Sequence, residues 1–190
     1  MNKDVKPFNI NAEFHTTSDQ VLPKPETVEL DTQHYELLGS HVRVGQVMPK
    51  IELTTHDMKP FLTGDQEGKN TIYVIMPSLD TAVCNSQFSE FSKAIENENL
   101  TGVDFVFVTS DTPFALQRFQ KTENSPHIMV SDAANHLFGY ETGLQLSSLN
   151  VLARAIIVTN KENKIVHKQI VPKLTELPCL HSAYISLFKE

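Results

Sequence analysis

The sequence predicts an α/β fold in which helices flank a mixed central β-sheet, with a hairpin and an extension on its N-terminal side. Two uninterrupted apolar runs of strand length, residues 71–76 and 103–108, are each followed by a helix pattern. Such runs are typical of strands covered on both faces, and strands linked by crossover helices lie parallel. Two later strand patterns, joined by residues 160–163, predict an antiparallel hairpin, so the sheet is expected to be mixed.

Chain length and charge limit the possible functions. The 190 residues are enough for one conventional core. The formal net charge of -7 at pH 7 argues against nucleic-acid partners, because affinity for phosphates needs concentrated Lys and Arg. No run approaches the roughly 18 apolar residues of a membrane span, and the first lysines are not followed by the apolar stretch of a secretory signal. We therefore expect a cytoplasmic protein with no membrane partner.

The first thirty or so residues differ from the rest of the chain. Residues 1–32 are polar and show neither a helix nor a strand period. We interpret them as an N-terminal extension over the surface that can trace an edge strand, and residues 33–190 as one domain. Near the start of this domain, Gly39 and Ser40 predict a hairpin turn, and residues 51–53 predict a short strand.

The first apolar run is predicted to be a central strand that ends at Pro77, since proline breaks the hydrogen-bond ladder. Beyond it, Phe88, Phe91 and Ile95 have the spacing of an apolar stripe on a helix that lies on a sheet. This helix is expected to begin near Thr81 or the residue after it.

The second apolar run also leads into a helix. Asp111 or Thr112 can cap this helix, and Pro113 suits its first position. The helix is expected to carry residues 114–119.

The remaining patterns complete the order of elements. A short strand over residues 127–130 and a helical turn over 136–139, closed by glycine, precede the hairpin strands 153–158 and 164–171. A last helix is expected over residues 178–188. The order strand, helix, strand, helix, hairpin, helix predicts a thioredoxin-like fold.

Cys84 is the first candidate for a functional residue. The chain has two cysteines, Cys84 and Cys179, which cannot form a disulfide framework and lack the spacing of zinc ligands. Cys84 falls in a predicted first helical turn, where unpaired N–H groups and the helix dipole favour the nucleophilic thiolate. Alternatively, Cys84 is a small buried apolar residue, as free cysteines usually are. Its strand-to-helix junction, where α/β folds bind ligands, leaves the two interpretations evenly matched.

Two neighbours of Cys84 also have two interpretations each. The Thr81 hydroxyl either caps the helix or faces the thiolate and holds a substrate oxygen beside it. Pro77 is either a simple strand breaker or a rigid ring that shields the thiolate from water.

Three segments resemble those of one enzyme family. Residues 77–84 read Pro-Ser-Leu-Asp-Thr-Ala-Val-Cys, which is similar to the peroxidatic loop of the peroxiredoxins and, in this form, of their bacterial thiol peroxidase subfamily. Residues 110–119 resemble that subfamily's Asp-x-Pro-Phe-Ala segment, and residues 152–155 resemble its Ala-Arg-Ala strand start. The resemblance extends over residues 35–187.

The resemblance implies a peroxidase that reduces hydrogen peroxide or alkyl hydroperoxides without a cofactor or metal, and it implies a homodimer. Cys84 is the implied peroxidatic cysteine, Thr81 the hydroxyl that binds peroxide and sulfur, and Pro77 the shield. Arg154 is the implied cation that stabilises the thiolate and polarises the peroxide. Independently of the family, an arginine that begins an apolar strand is expected to be paired or functional. The alternative is an arginine that reaches solvent at the strand end or bridges a carboxylate.

The sequence departs from the subfamily at one position. Where the subfamily usually has the cysteine that resolves the sulfenic acid, this chain has Gln120, which has no such chemistry. Cys179, the other thiol, either resolves Cys84 within the chain or across a homodimer, or is incidental. We expect a one-cysteine peroxidase that an external thiol such as thioredoxin or glutathione recycles.

Two other functions stay open at this point. A peroxide sensor would pass the oxidation of Cys84 to a partner protein, a role that suits the missing resolving cysteine. A non-catalytic thioredoxin-fold binding module would keep Cys84 as a structural thiol. Steady-state turnover distinguishes a peroxidase from a sensor, and slow alkylation of Cys84 would identify the module.

Overall fold

The computed structural model describes residues 27–66, 68–97 and 100–188, and the expectation for residues 1–26 lies outside this part of the chain. The strands are β1 Thr27–Leu30, β2 Gln33–Leu38, β3 Glu52–Thr55, β4 Pro60–Leu62, β5 Asn70–Met76, β6 Val103–Thr109, β7 Ile128–Ser131, β8 Gln145–Leu146, β9 Ala155–Thr159 and β10 Ile165–Ile170. The α-helices are α1 Ala82–Asn97, α2 Pro113–Glu123, α3 Leu137–Thr142 and α4 Leu180–Ile185, the last continued by a 3-10 turn, Ser186–Phe188.

The central sheet has seven strands in the order β10-β9-β5-β6-β7-β3-β4. The pairs β5 with β6 and β6 with β7 are parallel, whereas β5 with β9 and β9 with β10 are antiparallel. The mixed sheet and the C-terminal hairpin are therefore confirmed. A smaller antiparallel sheet has the order β1-β2-β8.

Both faces of the central sheet are covered, which explains the uninterrupted apolar runs. On one face, residues of α1, α2 and α4 such as Phe91, Leu116 and Leu180 pack against β5 and β6. On the other face, α3 and the small sheet contribute residues such as Phe138 and Val28. Each residue of β5 after its first is buried. No helix in the described ranges is long and apolar enough to cross a membrane.

The N-terminal hairpin turns at a different place from the one predicted. Its turn lies at Asp31 and Thr32, between β1 and β2, rather than at Gly39 and Ser40. Gly39 instead allows its backbone to lie close to that of Tyr140, because a Cβ at Gly39 would be 2.0 Å from the Tyr140 carbonyl oxygen. The φ of Gly39 is 100°, a value that also favours glycine. The boundary at residue 32 stays a prediction, although β1 pairs directly with β2.

Two helix ends also differ from the prediction. The short helix α3 continues past Gly139 and is closed by Gly143 in the left-handed conformation. Gly139 packs closely against Gln145, since a Cβ there would lie 2.6 Å from the Oε1 atom of that side chain. The last α-helix is shorter than expected, since Cys179 caps it with an extended backbone and does not belong to it.

Candidate active site

The end of β5 and the start of α1 place Cys84 in the first turn of a helix of 16 residues. The Oγ1 atom of Thr81 accepts a hydrogen bond from the backbone N–H of Cys84 at 3.2 Å, so Thr81 caps this helix. No acidic residue lies in the first turn to oppose the positive end of the helix dipole. The Cys84 side chain is buried in the apolar cluster between α1 and the sheet.

Arg154 lies one residue before β9, and its guanidinium is directed at the sulfur of Cys84. The Nη2 atom donates to the Sγ atom of Cys84 at 3.3 Å. The Nε atom donates to the carbonyl oxygen of Leu174 at 2.9 Å, and the Nη1 atom donates to the Oε1 atom of Gln87. These three contacts, one from each of three nitrogens, fix the plane of the guanidinium.

The charge of Arg154 lies inside the protein. Arg154 is buried, and none of the ion pairs within residues 27–66, 68–97 and 100–188 includes it. A buried cation without a negative partner is strongly unfavourable. Of the three hydrogen-bond partners of Arg154, the Sγ atom of Cys84 is the one that belongs to an ionisable side chain. The predicted alternatives for Arg154, a solvent-directed side chain or a carboxylate bridge, do not fit this burial and these contacts.

Gln87 belongs to the site and was not predicted from the sequence. It is fully buried, it lies one helical turn after Cys84 on α1, and its amide oxygen accepts from Arg154. The signal that could have identified it is a polar residue on the buried stripe that Cys84, Phe88 and Phe91 share. A buried polar side chain at such a position needs a partner.

Thr81 directly precedes α1 and Pro77 directly follows β5, and the predicted shielding of the thiolate by Pro77 stays a prediction. The Thr81 hydroxyl donates to the carbonyl oxygen of Ser78 at 3.3 Å and accepts from Cys84, so its capping role is observed and its contact with peroxide stays a prediction. Pro77 is buried directly after β5, and its carbonyl oxygen accepts from the N–H of Ser110 at 3.2 Å.

Asp111 has a different role from the helix cap considered in the sequence. Thr112 caps α2 by accepting from the N–H of Ala115 at 3.3 Å. The Asp111 carboxylate instead accepts from the Ser78 hydroxyl at 2.6 Å and from the Leu79 N–H at 2.7 Å. It therefore holds the loop that precedes α1.

Neither Gln120 nor Cys179 is among the hydrogen-bond partners of the Arg154 guanidinium. Gln120 lies on α2, where its amide nitrogen donates to the carbonyl oxygen of Ser125. Cys179 is a free, half-buried thiol whose Sγ atom accepts from the N–H of Ser182 at 3.4 Å. In the described part of the chain, no three His, Cys, Asp or Glu side chains come together as metal ligands would.

Sequence comparison finds one matching family and several relatives. Residues 43–183 match the Redoxin family. A thiol peroxidase from Campylobacter jejuni is 36% identical over 147 residues, which cover 75% of this chain and 82% of that protein. A thiol peroxidase from Halalkalibacterium halodurans is 33% identical over 143 residues, which cover 75% of this chain and 85% of that protein.

Structural comparison agrees with the sequence. A peroxiredoxin-like protein from Aquifex aeolicus has a TM-score of 0.79 and 27% identity, and the match covers 86% of this chain and 96% of that one. A thiol peroxidase from Chromobacterium violaceum has a TM-score of 0.73 at 14% identity, with coverage of 80% and 90%, a likeness that shows the fold. The expected thioredoxin-like fold is thereby confirmed.

Proposed function

Since the chain belongs to the Redoxin family as a peroxiredoxin of the thiol peroxidase type, we propose that Cys84 is the thiol that its peroxidase activity oxidises. The single observation that carries this assignment is the buried contact of 3.3 Å between Arg154 Nη2 and Cys84 Sγ. It supplies a fixed positive charge where a thiolate needs one. The family activity, thiol-dependent reduction of peroxide, then takes place at the start of α1.

The proposed reaction begins with the Cys84 thiolate. Its sulfur attacks one peroxide oxygen in line with the O–O bond. The S–O bond forms as the O–O bond breaks, and the departing oxygen takes a proton and leaves as water or an alcohol. Arg154 stabilises the charge that grows on the departing oxygen, and the Thr81 hydroxyl holds the peroxide beside the sulfur. Pro77 keeps water away from the thiolate. Cys84 is left as a sulfenic acid.

We further propose that an external thiol returns Cys84 to its reduced state. Gln120 has no redox chemistry, and the Cys179 sulfur lies at the cap of α4. An attacking thiolate would form a mixed disulfide with Cys84 and release water, and a second thiol would then release Cys84. Thioredoxin and glutathione both supply such thiols, and a cytoplasmic location provides them.

One experiment tests the assignment of both cysteines. Wild type, Cys84→Ser and Cys179→Ser are treated with a slight excess of hydrogen peroxide and analysed by intact mass and non-reducing gel. Oxidation of wild type and Cys179→Ser, but not of Cys84→Ser, is expected. If Cys84→Ser were oxidised as fast as wild type, Cys84 would not be the oxidised thiol. A Cys84–Cys179 disulfide would contradict the one-cysteine cycle. Turnover with thioredoxin or glutathione should continue, whereas a sensor would stop after about one equivalent.

A homodimer is part of this proposal. Large apolar side chains are exposed on α2 and α3, among them Phe114 at 73% and Tyr140 at 43%. Exposed apolar groups of this size are common at interfaces between proteins. Light scattering is expected to give the mass of two chains, and Phe114→Glu is expected to shift it toward one.

A further inference from the structure

The segment 171–174, which follows β10, contacts Arg154 at both of its ends. The N–H of Val171 donates to the main-chain carbonyl oxygen of Arg154 at 3.2 Å. The carbonyl oxygen of Leu174 accepts from the Nε atom of the same arginine at 2.9 Å. The position of Leu174 therefore affects the guanidinium, whose Nη2 atom contacts the sulfur of Cys84.

Strand β1 of the N-terminal hairpin holds the Leu174 end of this segment. The N–H of Glu29 donates to the carbonyl oxygen of Pro172 at 2.8 Å, and the carbonyl oxygen of Glu29 accepts from the N–H of Leu174 at 2.8 Å. Glu29 and Lys173 accordingly form a parallel bridge. Leu174 is thus bonded through its N–H to β1 and through its carbonyl oxygen to Arg154.

These two hydrogen bonds of Glu29 are separate from the pairing of β1 with β2. Glu29 lies opposite His34 in that antiparallel pair. Residues of an antiparallel pair alternate between those that exchange hydrogen bonds with the opposite residue and those whose N–H and C=O groups face outward. Glu29 is of the second kind, because its two groups are directed at residues 172–174. Losing its N–H therefore leaves the β1–β2 ladder intact.

The contact between β1 and this segment is buried. Val28 and Leu174 belong to one apolar cluster, which also contains Ala153, the neighbour of Arg154. Water cannot easily replace a hydrogen bond that is lost in such surroundings. The position of Leu174 is therefore expected to depend on the two hydrogen bonds from Glu29.

Strand β1 lies before the part of the chain that matches the Redoxin family. That match covers residues 43–183, which include Arg154 and Leu174 but not Glu29. A strand outside the family match is therefore connected by two hydrogen bonds to a segment that holds the guanidinium of the candidate site.

We propose that Glu29 is a positioning residue for Arg154 and acts through the carbonyl oxygen of Leu174. The inference rests on the proposed oxidation of Cys84, in which Arg154 stabilises the charge that grows on the departing oxygen. A donor stabilises such charge best when it is fixed before the reaction, and a small displacement is enough to slow a reaction strongly. While β1 holds residues 172–174, the Nε atom keeps its acceptor and the Nη2 atom stays directed at the sulfur.

Glu29→Pro tests this role because proline has no N–H to donate to the Pro172 carbonyl oxygen. Proline is tolerated in a strand at a position whose N–H does not belong to the ladder. Single-turnover mass spectrometry of the full-length protein gives the rate at which hydrogen peroxide oxidises Cys84. We expect this rate to fall by about five- to tenfold in Glu29→Pro, since Arg154 is then less well held.

Thr27→Pro is the matched control. It places a proline at the first residue of the same strand, a position at which proline is tolerated, and it leaves both hydrogen bonds of Glu29 in place. The oxidation rate should stay within about twofold of wild type.

A double-mutant cycle with Arg154→Lys separates positioning from a general effect on the fold. If Glu29 acts through the guanidinium, Glu29→Pro should change the rate by less than about twofold once that guanidinium is absent. A general loosening of the fold would slow oxidation by the same factor in both backgrounds.

Val28→Ala is a second variant in the same strand, and each variant is first checked for cooperative thermal unfolding. If Glu29→Pro does not fold, Val28→Ala takes its place in the cycle. It keeps every backbone hydrogen bond but leaves a cavity in the cluster that contains Leu174. We expect oxidation to slow by about threefold in the wild-type background and to stay unchanged in the Arg154→Lys background.

An unchanged oxidation rate in the folded β1 variant would overturn the role of Glu29. Equal slowing in both backgrounds would also overturn it. If wild type is not oxidised at Cys84, the proposed function fails instead. Amide hydrogen exchange of residues 170–176 then decides whether β1 holds this segment, because exchange should be faster in Glu29→Pro than in Thr27→Pro, and equal exchange would contradict the inference.

Discussion

The Nη2 atom of Arg154 lies 3.3 Å from the Sγ atom of Cys84, and neither residue is more than 1% exposed. The helix dipole of α1 and the guanidinium both act on the sulfur from within the protein, where solvent screens little. In the proposed reaction this guanidinium is the counter-charge of the Cys84 thiolate, and replacing Arg154 removes it. This dependence makes Arg154 the residue whose replacement should most affect the peroxide step.

Arg154→Lys should slow the oxidation of Cys84. A single ammonium group cannot reproduce three contacts made by three nitrogens of a planar guanidinium. We expect the single-turnover rate with hydrogen peroxide to fall by about 10²- to 10³-fold, as on loss of a fixed donor to a developing charge. Arg118→Lys, on the surface of α2, is the matched control and should keep the wild-type rate. A wild-type rate in Arg154→Lys would contradict the assignment.

Gln87→Met should reduce both stability and rate. Methionine fills a similar volume but leaves the Nη1 atom of Arg154 without its acceptor. We expect the free energy of unfolding to fall by about 1–3 kcal/mol and the peroxide step to slow by about tenfold, since Arg154 is then less well held. Urea unfolding and single-turnover oxidation measure the two effects. Ser86→Ala, at an exposed position of the same helix, should change neither.

Most of the central sheet could be predicted because a strand that is covered on both faces has an uninterrupted apolar sequence. The runs over 71–76 and 103–108 became β5 and β6 almost without change of bounds. The misplaced turn at Gly39 has a long-range cause, its close approach to Tyr140 on α3. β4 was missed because it is a three-residue edge strand that starts with Pro60, a residue that argues against a strand.

The candidate site was predictable only in part. Cys84 and Arg154 stand out locally, one at a helix start and the other beside an apolar strand. The partners of Arg154 cannot be recognised in this way, because Gln87 and Leu174 are far from Arg154 in the sequence and contact it only in the folded chain. Asp111 was interpreted as a helix cap from its position, but its carboxylate contacts a loop more than thirty residues earlier. Such contacts depend on the folded sheet and not on neighbouring residues.

Thr81→Val distinguishes the two roles of the Thr81 hydroxyl. Valine keeps the shape but cannot accept from the Cys84 N–H, so the free energy of unfolding should fall by about 1 kcal/mol. If the hydroxyl also holds the peroxide, single-turnover oxidation should slow by about tenfold or more. Thr81→Ser, which retains the hydroxyl, should stay close to wild type in both measurements. A stability loss in Thr81→Val at an unchanged oxidation rate would leave Thr81 as a helix cap alone.

His127→Phe should reduce the acid sensitivity of the fold. His127 is buried against Phe88 and Phe107, and this burial lowers its pKa from the ordinary value of 6.5, although the charge of Glu96 opposes the shift. As the pH falls below about 6.5, the unfolded chain binds a proton that the folded chain does not, so wild type loses stability by up to about 1.4 kcal/mol per pH unit. Phenylalanine removes this contribution. Urea unfolding between about pH 8 and pH 5.5 should show a stability difference that shifts in favour of His127→Phe as the pH falls, and a constant difference would contradict the prediction.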